Sequence, residues 1–542
     1  MMTAAHSKGT SDGGAWSPFR HGAFALLWSA TVVSNVGTWM NDVGAGWLMA
    51  TLSPTPLMVG LVQTATTLPV FLFALPAGAL ADIVDRRRLL LVLNALLGIT
   101  AAAFAVLVFA GRIDIWLLLV FTFLLGTGAA FVAPAWQAVV PRLVPRQDLQ
   151  AAIALNSLGI NVSRAVGPAL AGVLIAQVGM AAPFALNALS FGVIILALAF
   201  WKPAAEAPRK LPPETLLRAI HTGLRYAVRS GPLTATLVRA VAFFLFASAY
   251  WALLPLVAKQ LLGGGPGLFG VLLGAVGAGA VGGAMVLPRL KAVLGPDRTV
   301  AAGTAGTAAV LVALAAVPNQ GFAVAACVLA GASWIAVLSS LHVSAQTALP
   351  DWVRARGLSV FLMVFFGSMA LGSVVWGQVA TWAGIPAALI IAAAGALLGI
   401  ALSWTARLNQ GEAMDLAPSM HWPEPVTPEG VEPDRGPVMV TIEYRIDSAD
   451  TEAFLAAIGR FSRQRRRDGT YDWGILEDAE DPGRWVEYFL VDSWLEHLRQ
   501  HERVTGADRA EQDAINAFHR GDGPPIVTHL IAPAAAPLST DE

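Results

Sequence analysis

Apolar runs of about 20 residues, separated by short polar breaks, recur from Phe24 to Arg407, and no other feature constrains the fold as strongly. A helix rising 1.5 Å per residue needs about that many residues to cross a ~30 Å hydrocarbon core. Lipid offers no partner to backbone N–H and C=O groups, so such runs satisfy them internally as helices. The runs fall at 24–51, 56–81, 89–110, 114–140, 150–178, 181–201, 233–262, 267–290, 298–317, 321–347, 357–383 and 385–406, which predicts twelve spans. Composition agrees, with 56% hydrophobic and 13% charged residues, where soluble chains carry about 25% charge. A soluble globular class is thereby excluded. Residues 1–23 lack a compact apolar run followed by a small-residue cleavage site, so the first helix is expected to be retained.

Loop charge predicts orientation. Loops on the N-terminal side of the membrane carry Arg86, Arg87, Arg88, Arg142, Arg146, Lys202, Arg209, Lys210, Arg218, Arg225, Arg229, Arg289, Lys291, Arg298, Arg354 and Arg356. The opposite loops hold only Arg112 and Lys259. Positive loops stay inside, so both termini are expected in the cytoplasm. Two loop segments also repeat: "QAVVPRLVPRQDL" from Gln137 and "QTALPDWVRARGL" from Gln346 share Gln, Pro, Val and Leu at equal offsets. They follow spans four and ten, which predicts two six-helix halves, 24–201 and 233–406, in the same orientation, with a substrate site between them.

Between spans two and three lies "GALADIVDRRRLLL". Gly78, Leu80, Ala81, Asp82, Arg86 and Arg87 resemble the loop signature of the major facilitator superfamily, with Asp85 where that family usually has glycine. The resemblance implies a conformational latch made by Gly78, Asp82, Arg86 and Arg87; a plain positive-inside anchor is the alternative. "SRAVGPALAGVL" in span five is similar to the motif of proton-coupled exporters in this superfamily, through Gly167, Pro168 and Gly172, with Ala171 in place of a glycine. Ordinary small-residue helix packing explains it equally. With "SNVGTWMNDVGAGWLMATLSPTPLMVGL" and "NSLGINVSRAVGPALAG", the chain resembles the transmembrane secretion effector group, which includes siderophore and drug exporters. The implied fold is an α-helical membrane protein of twelve transmembrane helices in two six-helix halves. The implied function is secondary export of small amphipathic molecules across the plasma membrane of a bacterial cell, by proton antiport with alternating access, and not an enzymatic reaction.

Ionisable groups within membrane spans are costly and point to function. Asp42 in span one and Arg164 in span five stand out, either as a proton-coupling pair or as a static charge pair. Asn35, Asn41, Gln63, Gln137 and Asn161 are candidates to line a polar cavity, alongside Asn156. Trp28, Trp39, Trp47, Trp136, Trp251, Trp334 and Trp376 suit either stacking on an aromatic cargo or a lipid-facing belt. Arg239, near a span end, is expected to snorkel, and His342 to be interfacial. No "GxxxxGK[ST]" stretch supports an ATP-driven pump.

Residues 202–232 predict a central loop with a basic amphipathic helix on the membrane surface. Residues 407–436 are rich in proline and predict an unfolded spacer. From 437 to 533 the order strand, helix, two strands, helix, strand predicts a ferredoxin-like α+β domain, followed by a tail at 534–542. This segment resembles the antibiotic-biosynthesis-monooxygenase-like domain, a family of dimeric α+β barrels, and the rival function is a bifunctional membrane protein whose C-terminal domain oxidises the cargo. His497 and His501 lie four apart on one helix face, but no third ligand is evident, so neither a metal nor a cofactor is expected. Val440, Ile442, Tyr444, Trp473, Ile475, Trp485 and Phe489 are expected to supply both an internal core and a partner surface. From residue 411 there are 12 Arg and no Lys against 26 Asp plus Glu, a balance of −14, while residues 1–410 carry +13. The acidic tail is therefore expected to rest on basic loops. The expected partners are a small-molecule cargo, protons, the lipid bilayer and a second copy of the tail, with no nucleic acid.

Overall fold

The computed structural model describes residues 14–53, 55–201, 216–408, 415–419, 421–422 and 435–533. The chain divides into two compact units: the first holds Met1–Pro213, Leu237–Leu341 and Phe361–Thr405, the second Glu214–Thr236, His342–Val360 and Ala406–Glu542.

The helices in chain order are α1 Gly22–Leu52, α2 Pro56–Ile83, α3 Arg86–Phe109, α4 Ile115–Val139, α5 Leu149–Gln177, α6 Ala182–Phe200, α7 Leu216–Arg229, α8 Gly231–Leu256, α9 Pro266–Ala316, α10 Gln320–Thr347, α11 Arg354–Ala383 and α12 Ile385–Leu402. Their starts are written locally. Asp85 and Asp114 cap α3 and α4, accepting from the amides of Arg88 and Leu117 at 2.8 Å each, which satisfies otherwise orphaned donors. Among the described residues, eleven helices are long and apolar enough to cross a membrane. The twelve runs read from sequence become eleven because α9 runs for 51 residues over the eighth and ninth. Its course breaks at Gly295, whose φ of 71° and ψ of 172° are not helical, a conformation that glycine adopts without a Cβ clash. Pro296 follows, with its φ preset for a new first turn.

Arg239 does not snorkel as expected. It is 3% exposed, pairs with Asp297 at 2.9 Å and lies over the Trp404 ring, because the break in α9 delivers a carboxylate to it.

Within the first unit, α1 packs on α5 and α6, α2 on α4, and α3 on α6. The two halves meet at α5 and α9, and at α2 and α11. Where α5 crosses α9, a Cβ on Gly172 would stand 2.8 Å from the Pro266 carbonyl oxygen, and one on Gly270 would stand 2.6 Å from that of Pro168. Only glycine lets these backbones approach so closely. Along the other seam, Thr64 Oγ1 donates to the Ala370 carbonyl at 3.1 Å, and Leu57 N–H to Thr381 Oγ1 at 3.2 Å. Lys259 Nζ donates to the Ala50 carbonyl at 2.6 Å. These ties sit toward the arginine-poor loops.

In the second unit, β1 Val438–Arg445, α13 Thr451–Arg467, β2 Asp472–Glu477, β3 Arg484–Val491, α14 Trp494–Arg503, α15 Gly506–Asn516 and β4 Ile526–Ile531 form a small domain. Its antiparallel sheet has the order β2-β3-β1-β4. Strand alternation sends Val440, Ile442, Tyr444, Trp485 and Phe489 into one buried core with Phe454, Ile458 and Phe461 of α13, and Trp473 and Ile475 pack against it. All seven residues expected to serve two faces thus serve one, since the register aligns Val440 with Phe489 and Phe489 with Trp473. The opposite face presents Met439, Leu490 and Leu530 in one cross-strand row.

Part of the proline-rich stretch is bound rather than free. Ser419 N–H donates to the Val504 carbonyl at 2.9 Å and Gly506 N–H to that of Ala417 at 3.0 Å, while Trp422 Nε1 donates to Gln512 at 2.7 Å. The remainder of that stretch, at 409–414, 420 and 423–434, lies outside the described residues, as do 1–13, 202–215 and 534–542. The central-loop helix α7 belongs to this unit: Arg225 stands 3.6 Å from Glu496, and Arg467 lies 5.5 Å over the Tyr226 ring. Burial, the largest cause, pushes the Tyr226 hydroxyl up to about 12. From the segment before and within α11, Trp352 receives Arg503 at 4.6 Å. The side chains of Leu216, Leu217, Arg218 and Ile220 lie outside the described residues.

Candidate functional site

Trp39 and Asp42 lie one turn apart on α1. Across from them on α5, the Arg164 guanidinium stands 5.5 Å over the Trp39 ring, brought close because Gly167 packs against Trp39 and the Val36 carbonyl. Among the described residues, Arg164 Nε is buried without a hydrogen-bond partner, and so is Oδ1 of Asn41, the residue before Asp42. No ion pair joins Asp42 to Arg164 among the described residues, so the pairing weighed from sequence is not made in this conformation; Trp39 occupies the cation instead.

The C-terminal half answers with aromatic rings. Phe244 packs on Trp334 and Phe365 at 5.4 and 4.2 Å, and Trp251 meets Trp334 at 5.3 Å. Among the described residues, Tyr250 Oη, Trp251 Nε1 and Trp334 Nε1 are buried with no hydrogen-bond partner, and Tyr250 lies within electrostatic reach of Arg164. Each unpaired buried polar atom costs about 1–3 kcal/mol. Five such groups, on four helices drawn from both halves, are left unpaired among the described residues.

Other residues singled out from sequence have different surroundings. Asn35 and Gln63 are half-buried and Gln137 is exposed. Asn161 donates to the Ser157 carbonyl of its own helix at 2.9 Å, and Asn156 accepts from Trp136 at 3.1 Å. The tryptophans divide likewise: Trp28 and Trp376 donate to backbone carbonyls, whereas Trp251 and Trp334 have no hydrogen-bond partner for Nε1 among the described residues. At the loop between α2 and α3, Arg87 donates to the Leu198 and Ala199 carbonyls at 2.9 and 2.8 Å, capping the end of α6 with a positive charge. Arg86 Nε reaches the Ala81 carbonyl at 3.3 Å. Gly78 has open space where a Cβ would stand, and the side chain of Asp82 lies outside the described residues. Gly167, Pro168 and Gly172 form the α5 surface against α1 and α9.

The tail holds a second cluster. His497 and His501 of α14 bring their Nε2 atoms to 3.2 Å, and His529 of β4 joins them, the ligating nitrogens of all three lying within 4.8 Å of one another. His529 is the third histidine that the sequence did not disclose as a neighbour, because it comes from a strand 28 positions on. Burial foremost, then the neighbouring rings, presses His497 down to about 3; burial and then His529 press His501 down to about 4. Beneath them Arg465 pairs with Glu487 at 3.2 Å, both buried, and Glu487 also accepts from Trp473 Nε1 at 2.9 Å and Tyr444 Oη at 3.2 Å.

Helices in two facing sets, with polar groups left open between them, define a multi-span membrane transporter. The chain belongs to the transmembrane secretion effector family, whose model matches residues 13–537. It is 25% identical to the staphyloferrin A transporter of Staphylococcus aureus over 275 residues, 50% of this chain and 68% of that one. It is also 25% identical to the multidrug efflux pump Tap of Mycolicibacterium fortuitum over 408 residues, 73% of this chain and 98% of that one. In fold it is similar to a bacterial homologue of the human lysosomal transporter Spinster in an inward-facing, unoccupied conformation, with a TM-score of 0.55 at 14% identity over 72% of this chain and 97% of the other.

Proposed function

We propose that this protein is a secondary exporter of small amphipathic molecules of siderophore- or drug-like character, working by alternating access in exchange for protons. The observation that carries this is the set of buried groups unpartnered among the described residues, Asn41 and Arg164 of the N-terminal half and Tyr250, Trp251 and Trp334 of the C-terminal half, with Tyr250 within electrostatic reach of Arg164. A cargo with an aromatic body and an anionic or acceptor group fits them, the guanidinium supplying charge-assisted bonds and the rings supplying stacking. The relatives named for staphyloferrin A transport and multidrug efflux support export of such molecules.

In this proposal both arms of α9 cross the membrane, giving twelve spans, and both termini are cytoplasmic. The seams closed by Gly172, Gly270 and Thr64 then lie at the outer end, so the site is reached from the cytoplasm. Asp42, next to the site but not bonded to Arg164, takes up a proton from outside once cargo has left, and its neutralisation favours return to the cytoplasm-facing state. Gly78, Asp82, Arg86 and Arg87 act as the latch of the opposite state. The tail contributes to assembly and does not touch the cargo.

The test uses proteoliposomes of the full chain with an imposed proton gradient and a fluorescent aromatic anion as cargo. Arg164→Ala is expected to weaken cargo binding about 10- to 150-fold, the equivalent of ~1.5–3 kcal/mol for a hydrogen bond to a charged group. Asp42→Asn is expected to retain binding while uptake loses its dependence on pH, since an amide does not ionise. A pH profile unchanged in Asp42→Asn would reject the proton role, and undiminished cargo binding in Arg164→Ala would reject the site.

A further inference from the structure

We propose that His497, His501 and His529 form a binding site for a divalent first-row transition-metal ion, with zinc the best match. Two of the ligands come from one helix face, where a spacing of four residues brings side chains together over a single turn, and the third comes from β4. The 3.2 Å between the Nε2 atoms of His497 and His501 is close to the ~3.3 Å that separates two nitrogens bound tetrahedrally at ~2.0–2.1 Å from zinc. His529 is within reach of both, its ring centroid 4.7 Å from that of His497.

The hydrogen bonds around the cluster select the tautomer that binds metal. Gln500 donates its Nε2 to the Asp468 carbonyl and Thr470 Oγ1, each at 3.5 Å, which turns its Oε1 toward His497 Nδ1 at 3.4 Å. Oε1 only accepts, so Nδ1 carries the proton and Nε2 presents a lone pair to the cluster. An amide that orients the far nitrogen of a ligating histidine is the outer-shell arrangement that metal sites use. Trp422 meets His501 at 5.1 Å, and Trp494 meets His497 and His529 at 5.3 and 5.8 Å, so the rings are held by aromatic walls. Arg465, a cation within electrostatic reach of the cluster, is already offset by Glu487.

Three imidazoles without a carboxylate or thiolate suit zinc, copper, nickel or cobalt and not the oxygen-seeking calcium or magnesium. They leave a fourth position for water or an exogenous ligand.

The test is equilibrium dialysis of the tag-free full chain in detergent against Zn²⁺, with bound metal counted by mass spectrometry and Co²⁺ used as a spectroscopic substitute. One Zn²⁺ per chain and a Co²⁺ visible spectrum of four-coordinate intensity are expected. His501→Gln and His529→Gln, both at half-exposed positions, are expected to weaken binding at least 100-fold, and Gln500→Ala about 10- to 100-fold. His519→Gln is expected to bind as the parent does, its ring being engaged by the Arg445 amide at 2.8 Å. A histidine pair joined only by a hydrogen bond would show no saturable zinc, or zinc retained with unchanged affinity in His501→Gln and His529→Gln; either result overturns the site.

Discussion

Asp148, just before α5, accepts from the Ser17 hydroxyl and from His21 Nε2, the latter at 2.9 Å, and so ties the turn at Ser17–Arg20 to the helix that carries Arg164. The Ser17 hydrogen bond foremost, then that of His21, holds the Asp148 carboxyl below the usual carboxylate range. A carboxylate with a depressed native pKa stabilises the fold fully above its ordinary value near 3.9 and loses that contribution only as pH falls through the native value. Amide exchange protection of residues 21–25, corrected for intrinsic rates, is therefore expected not to fall between pH 7 and pH 5. Asp148→Asn, which removes the charge, is expected to lower it several-fold at pH 7; loss of protection between pH 7 and pH 5 in the parent would contradict the assignment. Asp148 escaped sequence analysis because a charge beside a loop reads as solvated. Asp42 and Arg164 stood out in the sequence because charges inside apolar runs are rare, whereas Tyr250 did not, despite the dense "FFLFASAYW" that precedes and includes it. Only the fold shows that its hydroxyl lacks a partner.

The α5 and α9 helices touch through glycine at 172 and 270, so this seam is sensitive to a single methyl group. A Cβ at 270 would meet backbone oxygen at 2.6 Å, and a backbone atom cannot rotate away as a side-chain tip can. Overpacking of this kind costs about 1–3 kcal/mol, which would shift the balance about 5- to 150-fold toward a conformation with this end parted. Gly270→Ala is thus expected to lengthen the distance between spin labels on Gln177→Cys and Gly265→Cys in a Cys327→Ser background; Cys327 is the one cysteine of the chain. An unchanged distance distribution would show that the seam is not the moving contact. "GPALAG" announced a close-packing face, but its partner was hidden: the glycines of α9 recur throughout a low-complexity run, and sequence spacing does not say which one meets α5. For the same reason the break at Gly295 was read as a loop between two spans, when one residue with a positive φ and a proline suffice to turn the chain.

Charge divides the whole molecule, with the excess of Lys and Arg before residue 411 and the excess of Asp and Glu after it, and the second unit joins the two kinds where Arg225 of α7 meets Glu496 of α14. That meeting was foreseeable from composition, but the use of the sheet was not, since alternation alone does not say which face the helices cover. With Val440, Tyr444, Trp485 and Phe489 turned inward, the uncovered face offers Leu476, Ile526 and Leu530, which are 60%, 64% and 48% exposed, in rows with Met439, Val486 and Leu490. Six apolar side chains on one face favour a second sheet against it, because burial yields about 25 cal/mol per Å² and a C2 pairing of identical faces satisfies both copies at once. We expect the full chain in mild detergent to have a protein mass of twice 56.7 kDa by light scattering. Replacing Leu476 and Leu530 together by Glu should return it to a single mass, since four carboxylates would then face one another in a desolvated contact. Both positions are exposed in the single copy, so the tail's core is left intact, and unchanged zinc binding in the double variant would report that the domain remains folded. A mass that stays doubled in that variant would move the dimer contact away from the sheet.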